Sequence, residues 1–392
     1  MNFKIKITFF LPNLEGGGAE RSVVRLLRCL NKENLQVTLL LGKIKGPLIE
    51  DIPKEVLVKE LNVSHIKYAF FKLIKYFRQE RPNIFVSFLS HVNVISGLAK
   101  IFSRTKTKLI ISERTTFSHT PEITKDTKNR LLAFFFLKPL VKFTYPLTDA
   151  IVCVSKGVAE DISRFLPSSK INKVRVIYNP IVSDELYNLA DQPVEYFWFS
   201  NQKIPIILAV GRLTKAKDYP TLLRAFALIC KQKKAHLVIL GEGEERKNLE
   251  NLVHKLNLSE SVALLGFQKN PYKFMKRVSV FVLSSKREGF PNVLVEAMTC
   301  GVPVVSTNCQ SGPNEIIKDG ENGILVPIGD EKALAKAILK VLNSHSLRQK
   351  FSAEGKKRAQ DFTAEKSIRE YEKLFQEVLK IKSSNYDKIS YK

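Results

Sequence analysis

Residues 280–307 read VFVLSSKREGFPNVLVEAMTCGVPVVST and contain the pattern that decides the fold. The apolar runs VFVL and PVVST each predict a short strand. Between them, Pro291 is a favourable first helical residue because the first N–H groups of a helix have no intrahelical partner anyway, so we expect a helix from about Pro291. A strand–helix–strand repeat of this kind indicates a parallel sheet covered by helices on both faces.

Two glutamates lie eight positions apart in this stretch, Glu288 in the predicted loop and Glu296 inside the predicted helix. The N–H groups of Asn292, Val293 and Leu294 would point outward at the positive end of the helix dipole and form an anion site. The combination suits a sugar nucleotide, with amides for the diphosphate, one carboxylate for the ribose diol and one for the sugar hydroxyls. The alternative is a solvated Glu288 and a Glu296 on the polar side of an ordinary amphipathic helix.

The same alternation of strands and helices runs along the chain in two series. The first extends from KIKITFFLP at 4–12 to VRVIYNP at 174–180, and the second from IPIILAVGRL at 204–213 to ILVPIG at 324–329. A chain of 392 residues is too long for one core. We therefore predict an α/β fold of two doubly wound Rossmann-like domains that face each other across a cleft, at 1–185 and 204–365, with a polar, irregular linker at 186–203.

The composition, 44% hydrophobic and 26% charged, is that of a soluble globular protein. The N-terminus alternates lysine with apolar residues and predicts a first strand rather than a signal peptide. The most apolar later run, residues 131–137, is far shorter than the roughly 20 residues that span a bilayer. The five cysteines form no C-x-x-C pair, which is typical of reduced cysteines in a cytosolic protein.

The net charge of +25 predicts an acidic partner, either an anionic membrane or a nucleic acid. Basic residues occur with aromatic ones around 66–78, where Ile66, Phe70, Leu73, Ile74 and Phe77 share one helical face, and again at 134–142. A basic helix with an aromatic underside is suited to a membrane surface, whereas the alternative is an inward-facing apolar stripe with a solvated basic face. No RNP, helix-turn-helix or zinc pattern occurs, so nucleic acid is the less favoured partner.

Several candidate ligand-binding residues directly follow predicted strands, where ligands bind in parallel sheets. Gly16, Gly17 and Gly18 follow the first strand. They are not a good dinucleotide fingerprint, because Arg21 replaces the expected third glycine and the next strand ends without a ribose-binding acid. A nicotinamide oxidoreductase is therefore disfavoured, and a tight turn without a ligand remains the alternative for these glycines.

Two cations, Arg212 and Lys217, follow a strand of the second series and can converge on a diphosphate. The alternative is a solvated loop. No D-x-D pair is present to hold a nucleotide diphosphate through a metal ion, so the positive charge must come from the protein. In the first series, His91 follows IFVSFL and can act on a sugar hydroxyl or a reacting group, unless it is only structural; His119 is a weaker rival.

Together these motifs resemble the GT-B glycosyltransferases of family 4, which are retaining enzymes that use nucleotide sugars. The similarity extends over nearly the whole chain and includes GGGAER at 16–21, ISERT at 111–115, AVGRLTKAKDYPTLLRAF at 209–226, LGEGEER at 240–246, SSKREGFPNVLVEAMTCGVPVVST at 284–307 and DGENGILVP at 319–327. Each motif alone is weak, but their order and spacing are specific. Family members close their last helix onto the first domain, which implies the same for a helix within residues 366–392, a segment that also contains a polar tail.

The resemblance implies a role for each candidate. Glu288 would contact the donor sugar, Glu296 the ribose, and Arg212 and Lys217 the diphosphate, while Gly266 and Phe267 would border the base. The catalytic candidates are His91, Arg212, Lys217 and Glu288. The donor-binding candidates are Gly17, Gly18, Arg212, Lys217, Gly266, Phe267, Glu288, Gly289, Phe290, Asn292, Val293, Leu294 and Glu296.

The implied reaction is transfer of a hexose or N-acetylhexosamine from a nucleotide sugar, UDP-linked by expectation, with retention of anomeric configuration and without a metal or other cofactor. The basic aromatic helices fit a lipid-linked or lipopolysaccharide acceptor, and a cytoplasmic, peripheral location at the inner face of the cell membrane. A soluble acceptor, a nucleotide-sugar 2-epimerase of the same fold, and a non-catalytic binding protein remain alternatives. The sequence indicates no oligomeric state.

Overall fold

The computed structural model describes residues 4–118, 137–200 and 203–380. The chain divides into two compact units. Unit 1 comprises residues 1–180 and 364–392, and unit 2 comprises residues 181–363. Unit 1 is therefore built from two separate parts of the chain.

Unit 1 contains a seven-stranded parallel sheet in the order β3-β2-β1-β4-β5-β6-β7. Its strands are β1 Ile5–Leu11, β2 Leu35–Leu41, β3 Leu57–Glu60, β4 Ile84–Phe88, β5 Lys108–Glu113, β6 Ala150–Cys153 and β7 Val174–Val176. The central strands are almost continuously buried, as expected where helices cover both faces of a parallel sheet. The chain builds outward on one side of β1 and then crosses to the other, so β1 and β4 flank a topological switch point.

The helices of unit 1 come from both parts of the chain. They are α1 Gly18–Cys29, α2 Ala69–Glu80, α3 Ser90–Ser103, α4 Lys156–Ser163 and, after unit 2, α14 Ala364–Leu379. Residues 137–144 are also helical. Helix α14 packs against α1, and its Ile368, Tyr371, Leu374 and Phe375 belong to the same buried core as strand β1.

Unit 2 contains a six-stranded parallel sheet in the order β10-β9-β8-β11-β12-β13. Its strands are β8 Ile206–Val210, β9 His236–Leu240, β10 Val262–Leu264, β11 Val280–Leu283, β12 Val304–Thr307 and β13 Ile324–Val326. Its helices are α5 Asp184–Asp191, α6 Phe197–Ser200, α7 Tyr219–Cys230, α8 Arg246–Lys255, α9 Tyr272–Met275, α10 Asn292–Thr299, α11 Pro313–Ile316, α12 Glu331–Asn343 and α13 His345–Ala359. Both units thus have the doubly wound α/β architecture that the sequence predicts.

The expectation of an irregular linker at 186–203 is wrong. Helices α5 and α6 occupy most of it, and the chain enters unit 2 already at residue 181. The segment is attached to unit 2 by hydrogen bonds from Asn270 Nδ2 to the Leu189 carbonyl at 2.8 Å and from Arg277 Nη1 to the Ala190 carbonyl at 3.1 Å. Its polar composition misled the prediction because only a few residues, including Trp198 and Phe199, are buried.

The predicted apolar underside of α2 faces the protein, not a membrane. Leu73 and Phe77 are fully buried, and Ile66, Phe70 and Ile74 are half-buried. The inward-facing alternative is therefore correct for this face. His119 and the aromatic residues 134–136 of the second basic segment lie outside the described part of the chain, whereas its residues 137–142 are described. Within the described ranges, none of the helices combines the length and apolarity that a membrane crossing requires.

Candidate active site

The loops after β8 and β11 lie side by side at the carboxyl edge of the unit 2 sheet. Strands β8 and β11 are neighbours, and the strand order reverses between them, which makes this edge the switch point where ligands bind in such folds. The Lys286 N–H donates to the Ala216 carbonyl at 2.8 Å, and Ser284 Oγ donates to the Lys217 carbonyl at 2.8 Å. These bonds fix the two loops relative to each other.

A lysine and a glutamate from these two loops form an ion pair. Lys217 Nζ lies 2.5 Å from Glu288 Oε1, and Ser285 Oγ donates to the same oxygen at 2.6 Å. The side chain of Lys217 is 21% exposed and that of Glu288 is 11% exposed. The alternatives of a solvated Glu288 and of a solvated loop are therefore wrong for Glu288 and Lys217, because both charged groups are held in a partly desolvated position.

Burial keeps two titratable side chains near Glu288, Tyr219 and Cys309, in their neutral forms. Tyr219 OH donates to the Gly211 carbonyl at 3.0 Å, and burial together with the charge of Glu288 raises the pKa of Tyr219 far above its usual value. Cys309 Sγ donates to the Ser285 carbonyl at 2.9 Å, and burial followed by the charge of Glu288 raises the pKa of this thiol to about 12. Tyr219 and Cys309 thus add no negative charge to that of Glu288.

The helix after Glu288, α10, begins at Asn292 with Pro291 as its N-cap, one residue later than predicted. The Asn292 N–H donates to the Phe290 carbonyl and the Leu294 N–H to the Pro291 carbonyl, each at 3.0 Å. The expectation of three outward-pointing donors is therefore wrong for Asn292 and Leu294. Of the three, Val293 remains the candidate anion-binding N–H.

Glu296 is 4% exposed, although it lies inside an amphipathic helix. Tyr272 OH donates to its Oε1 at 3.5 Å. The alternative of a solvated Glu296 on a polar helix face is wrong. The oxygens of a buried carboxylate must be satisfied by donors, because burying a charge is otherwise costly.

The remaining unit 2 candidates line the same edge of the sheet. Arg212 directly follows β8 and is exposed, and its side chain makes no ion pair within the described part of the chain. Gly266 and Phe267 follow β10, and the Phe267 ring is 42% exposed. Gly289 accepts a hydrogen bond from Ser311 Oγ at 2.9 Å, and Phe290 is buried against Phe362. Phe290 therefore packs in the core beneath the loop.

A glycine of the LGEGEER motif allows these loops to approach each other. Gly241, after β9, has a φ of +144°, and a Cβ at this position would lie 2.0 Å from the Gly211 carbonyl oxygen. The Gly241 N–H donates to the Gly266 carbonyl at 2.7 Å. A side chain at 241 would push apart the loops that hold Arg212 and Phe267.

The other candidates belong to unit 1. Gly17 is the N-cap of α1 and Gly18 is its first residue. His91 is the second residue of α3 and is exposed, and partial desolvation lowers the pKa of its imidazole from its usual value. These three residues are at the carboxyl edge of the unit 1 sheet.

A buried polar network in unit 1 supports the start of α3, and sequence reasoning identified it only in part. Glu113, fully buried at the end of β5, accepts hydrogen bonds from Ser90 Oγ at 2.8 Å, from Asn93 Nδ2 at 3.0 Å and from Tyr145 OH. The ISERT motif points to Glu113, but no sequence spacing relates it to Asn93 or Tyr145. The network holds the first turn of the helix that carries His91.

The described residues contain no group of three or more His, Cys, Asp and Glu side chains that could hold a metal ion.

Two family models match the two parts of the chain. The model described as Glycosyltransferase Family 4 matches residues 16–185, and the one described as Glycosyl transferases group 1 matches residues 197–358. This chain aligns with two relatives from Campylobacter jejuni over almost their whole length. One, N-acetylgalactosamine-N,N'-diacetylbacillosaminyl-diphospho-undecaprenol 4-alpha-N-acetylgalactosaminyltransferase, is 34% identical over 93% of this chain and 98% of the relative.

The second relative is GalNAc-alpha-(1->4)-GalNAc-alpha-(1->3)-diNAcBac-PP-undecaprenol alpha-1,4-N-acetyl-D-galactosaminyltransferase. It is 31% identical over 95% of this chain and 99% of the relative. Solved structures share the fold at lower identity. Anabaena HepE in complex with UDP and glucose has a TM-score of 0.78 at 19% identity, covering 95% of this chain and 100% of HepE. Sucrose-phosphate synthase from Thermosynechococcus elongatus has a TM-score of 0.80 at 18% identity, covering 96% and 100%.

The two parallel sheets, the matches to both family models and the full-length relatives lead to one assignment. The chain belongs to the family 4 glycosyltransferases and has the GT-B fold.

Proposed function

We propose that this glycosyltransferase moves an N-acetylhexosamine or a hexose from a UDP-sugar to a polyprenyl-diphosphate-linked or other membrane-associated glycan, with retention of anomeric configuration. The observation that carries the proposal is the Lys217–Glu288 pair, held by Ser285 at the switch point of unit 2 beside Arg212. Two relatives are named for α-linked transfer to undecaprenol-diphosphate glycans, and HepE binds UDP. These names support the donor, acceptor and anomer proposed here.

In this proposal the donor lies along the carboxyl edge of the unit 2 sheet. The base borders Gly266 and Phe267, the ribose hydroxyls donate to Glu296, and the diphosphate contacts Arg212, Lys217 and the Val293 N–H. The sugar hydroxyls donate to Glu288. The exposed Arg212 side chain suits this role because it is available to an incoming anion.

The bond between the sugar C1 and the diphosphate oxygen breaks during transfer, and its electron pair leaves with UDP. Arg212 and Lys217 stabilise the negative charge that grows on this leaving group. The acceptor hydroxyl attacks C1 from the face that UDP leaves, and its proton passes to the departing phosphate oxygen. His91 is proposed to contact the reacting sugar from unit 1.

Lys217 has a second role in this scheme. Its ammonium group now pairs with Glu288, so the diphosphate adds a second anion to the same lysine. Because Lys217 then interacts with two anions, its ion pair with Glu288 becomes weaker. The Glu288 carboxylate can then accept hydrogen bonds from the sugar hydroxyls. Binding of the nucleotide would thus prepare the sugar subsite.

The direct test is a transfer assay with a panel of UDP-sugars and short polyprenyl-diphosphate sugar acceptors, followed by NMR of the product anomer. We expect transfer from a UDP-N-acetylhexosamine or UDP-hexose with an α-linked product. A β-linked product would overturn the retaining assignment. Isomerisation of the donor without acceptor would favour the epimerase, and absence of both transfer and hydrolysis over the panel would favour a binding protein.

Chelation of divalent ions is expected to leave the rate unchanged, because we propose that side chains supply the positive charge at the diphosphate. The rate is measured with EDTA and again after adding excess Mg²⁺ or Mn²⁺. A rate that falls about 10-fold or more with EDTA and recovers with the metal would contradict this part of the proposal, since a metal ion contributes several kcal/mol to such steps.

We also propose that the enzyme works as a peripheral protein at the inner face of the cell membrane. The support is the net charge of +25 and the lipid-linked acceptors in the names of the relatives.

A further inference from the structure

We propose that one face of unit 1 is a docking surface for an anionic lipid bilayer. This surface, termed the aromatic face, consists of exposed apolar side chains on α2 and its N-cap residue, on α3 and on the segment 137–147. Its members are Tyr68, Phe71, Ile101, Phe102, Leu140, Phe143 and Leu147. The choice of a bilayer as occupant rests on the lipid-linked acceptor of the proposed function, whereas the surface itself rests on the observations below.

Topology places the three segments on one side of the sheet. Helix α2 connects β3 to β4, α3 connects β4 to β5, and residues 137–147 precede β6. All three connections advance in the same direction along the sheet. Because parallel crossovers are right-handed, the connecting helices lie on the same face.

Direct contacts show that the segments are neighbours. The rings of Phe70 and Phe102 lie 5.6 Å apart, which joins α2 to α3. A Cβ at Gly97 of α3 would lie 3.0 Å from Thr144 Cβ, so the backbone of α3 runs close to the third segment. Helix α3 therefore lies between the other two, and the aromatic face extends across all three.

The exposure of these side chains is not explained by the fold. Phe71 is 78% exposed, and Tyr68, Phe102, Phe143 and Leu147 are each 57% exposed. The same helices already bury an inward set, including Leu73, Phe77 and Val94, so their packing on the sheet does not need the outer residues. Of the fourteen large hydrophobic side chains exposed in the described ranges, seven belong to this face. Such a concentration marks an interaction surface.

The charge of the three segments identifies an anionic partner. Residues 66–80, 90–108 and 137–148 contain ten lysines and arginines and one acidic residue, Glu80. Glu80 is paired with Lys59 at 2.6 Å. Lys67, Lys75, Lys106 and Lys142 are exposed beside the apolar residues. Basic groups around aromatic rings match a membrane surface, where rings enter the interface and cations meet anionic headgroups.

The aliphatic members favour lipid over nucleic acid. Aromatic rings and lysines also suit single-stranded nucleic acid, which stacks its bases on rings. Ile101, Leu140 and Leu147 contribute exposed aliphatic surface that offers no stacking plane. A bilayer accepts both kinds of side chain, so it is the partner that the whole surface fits.

The test is sedimentation with vesicles, made either of phosphatidylcholine alone or of an equal mixture of phosphatidylcholine and phosphatidylglycerol. The full chain is expected to bind the mixed vesicles. The double variant Phe71→Ser/Phe102→Ser should bind at least about 10-fold more weakly, because each large apolar side chain contributes more than 1 kcal/mol when buried. Phe197→Ser, a change at a 69% exposed phenylalanine of unit 2, is the matched control and should bind normally.

A charge series tests the electrostatic part. Lys75→Glu/Lys142→Glu should lower binding to the mixed vesicles about 10-fold or more, since each basic residue near an anionic surface contributes about 1 kcal/mol. Lys332→Glu/Lys336→Glu on α12 makes the same change in net charge on an exposed helix of unit 2. An equal loss in both pairs would overturn the assigned surface, as would a wild type that binds neither vesicle or binds an RNA oligomer instead.

Docking and catalysis are separable in this design. Transfer to a short-chain, water-soluble acceptor should be unchanged in Phe71→Ser/Phe102→Ser, which also shows that the variant is folded. Vesicle binding without any transfer would refute the proposed function and leave the docking surface standing. Transfer without vesicle binding would refute the docking surface alone.

Discussion

The variant Glu288→Gln is expected to lower kcat about 10²-fold and to leave the affinity for UDP nearly unchanged. Glutamine keeps the shape of the side chain and can still accept from Ser285 and Lys217, so the loop should stay in place. The variant loses the negative charge to which the sugar hydroxyls are proposed to donate hydrogen bonds. The measurement is the transfer rate at saturating UDP-sugar, with calorimetric titration of UDP.

Two companion variants make this result specific. Lys217→Ala should lower kcat by a similar factor and also weaken UDP, because the lysine is proposed to contact the diphosphate. Glu321→Gln is the control, since Glu321 pairs with Lys318 at 3.4 Å on the exposed surface of the same unit. Full activity in Glu288→Gln or in Lys217→Ala would refute the proposed donor site. A large loss in Glu321→Gln would show that the assay responds to general damage.

Replacement of Glu113 by alanine is expected to lower the free energy of unfolding by about 3 kcal/mol. The change removes the acceptor of two buried donors, Asn93 Nδ2 and Tyr145 OH, and of the half-buried Ser90 Oγ. Glu113→Gln should cost much less, because the glutamine oxygen can accept from Asn93 and Tyr145 while its NH₂ donates to a rotated Ser90 hydroxyl. The measurement is urea unfolding monitored by hydrogen exchange in β5, which reports on unit 1. Tryptophan fluorescence would report on unit 2 instead, because the only tryptophan, Trp198, lies there.

The same variants give a pH dependence with a defined sign. Burial raises the pKa of Glu113 above its usual value, although its three hydrogen bonds oppose this shift. A raised carboxyl pKa means that the folded state holds the proton more tightly, so this contribution to stability is present below about pH 4 and is lost as the pH rises through the folded pKa. Relative to Glu113→Gln, the wild type should therefore lose stability with rising pH.

A control variant defines the outcome that would contradict this prediction. Glu33→Gln, at an exposed glutamate of unit 1, should change stability by no more than about 0.5 kcal/mol at any pH. The prediction is contradicted if the difference in unfolding free energy between wild type and Glu113→Gln does not change with pH, or if the wild type gains stability as the pH rises. Either result would mean that burial does not dominate the titration of Glu113.

The sequence was most informative where chemistry and topology coincide. Short apolar runs identified the strands of both sheets, because a parallel strand that is covered on both faces is apolar at nearly every position. Arg212, Gly266 and Glu288 come within five residues of the ends of such runs, so the topology alone places them at the carboxyl edge of one sheet. Pro291 located the start of α10 to within one residue, because proline is excluded from most other helical positions.

The failures have a common physical origin, since each depends on which side of an element meets the rest of the protein. The helical period grouped Ile66, Phe70 and Phe77 but did not tell whether that face meets a core or a membrane. Polar residues at 186–203 concealed two helices that bury only a few side chains. The pairing of Lys217 with Glu288, 71 positions apart, depends on side-chain conformations that sequence spacing does not specify.

Helix α14 has a consequence for the order in which the molecule assembles. Its Ile368, Tyr371, Leu374 and Phe375 complete the core of unit 1, yet the ribosome makes them after all of unit 2. Unit 2 is continuous and has every residue that it needs as soon as residue 363 has emerged. We therefore expect unit 1 to complete its core only after unit 2 has been synthesised. This order is the reverse of the usual one, in which the N-terminal domain folds first.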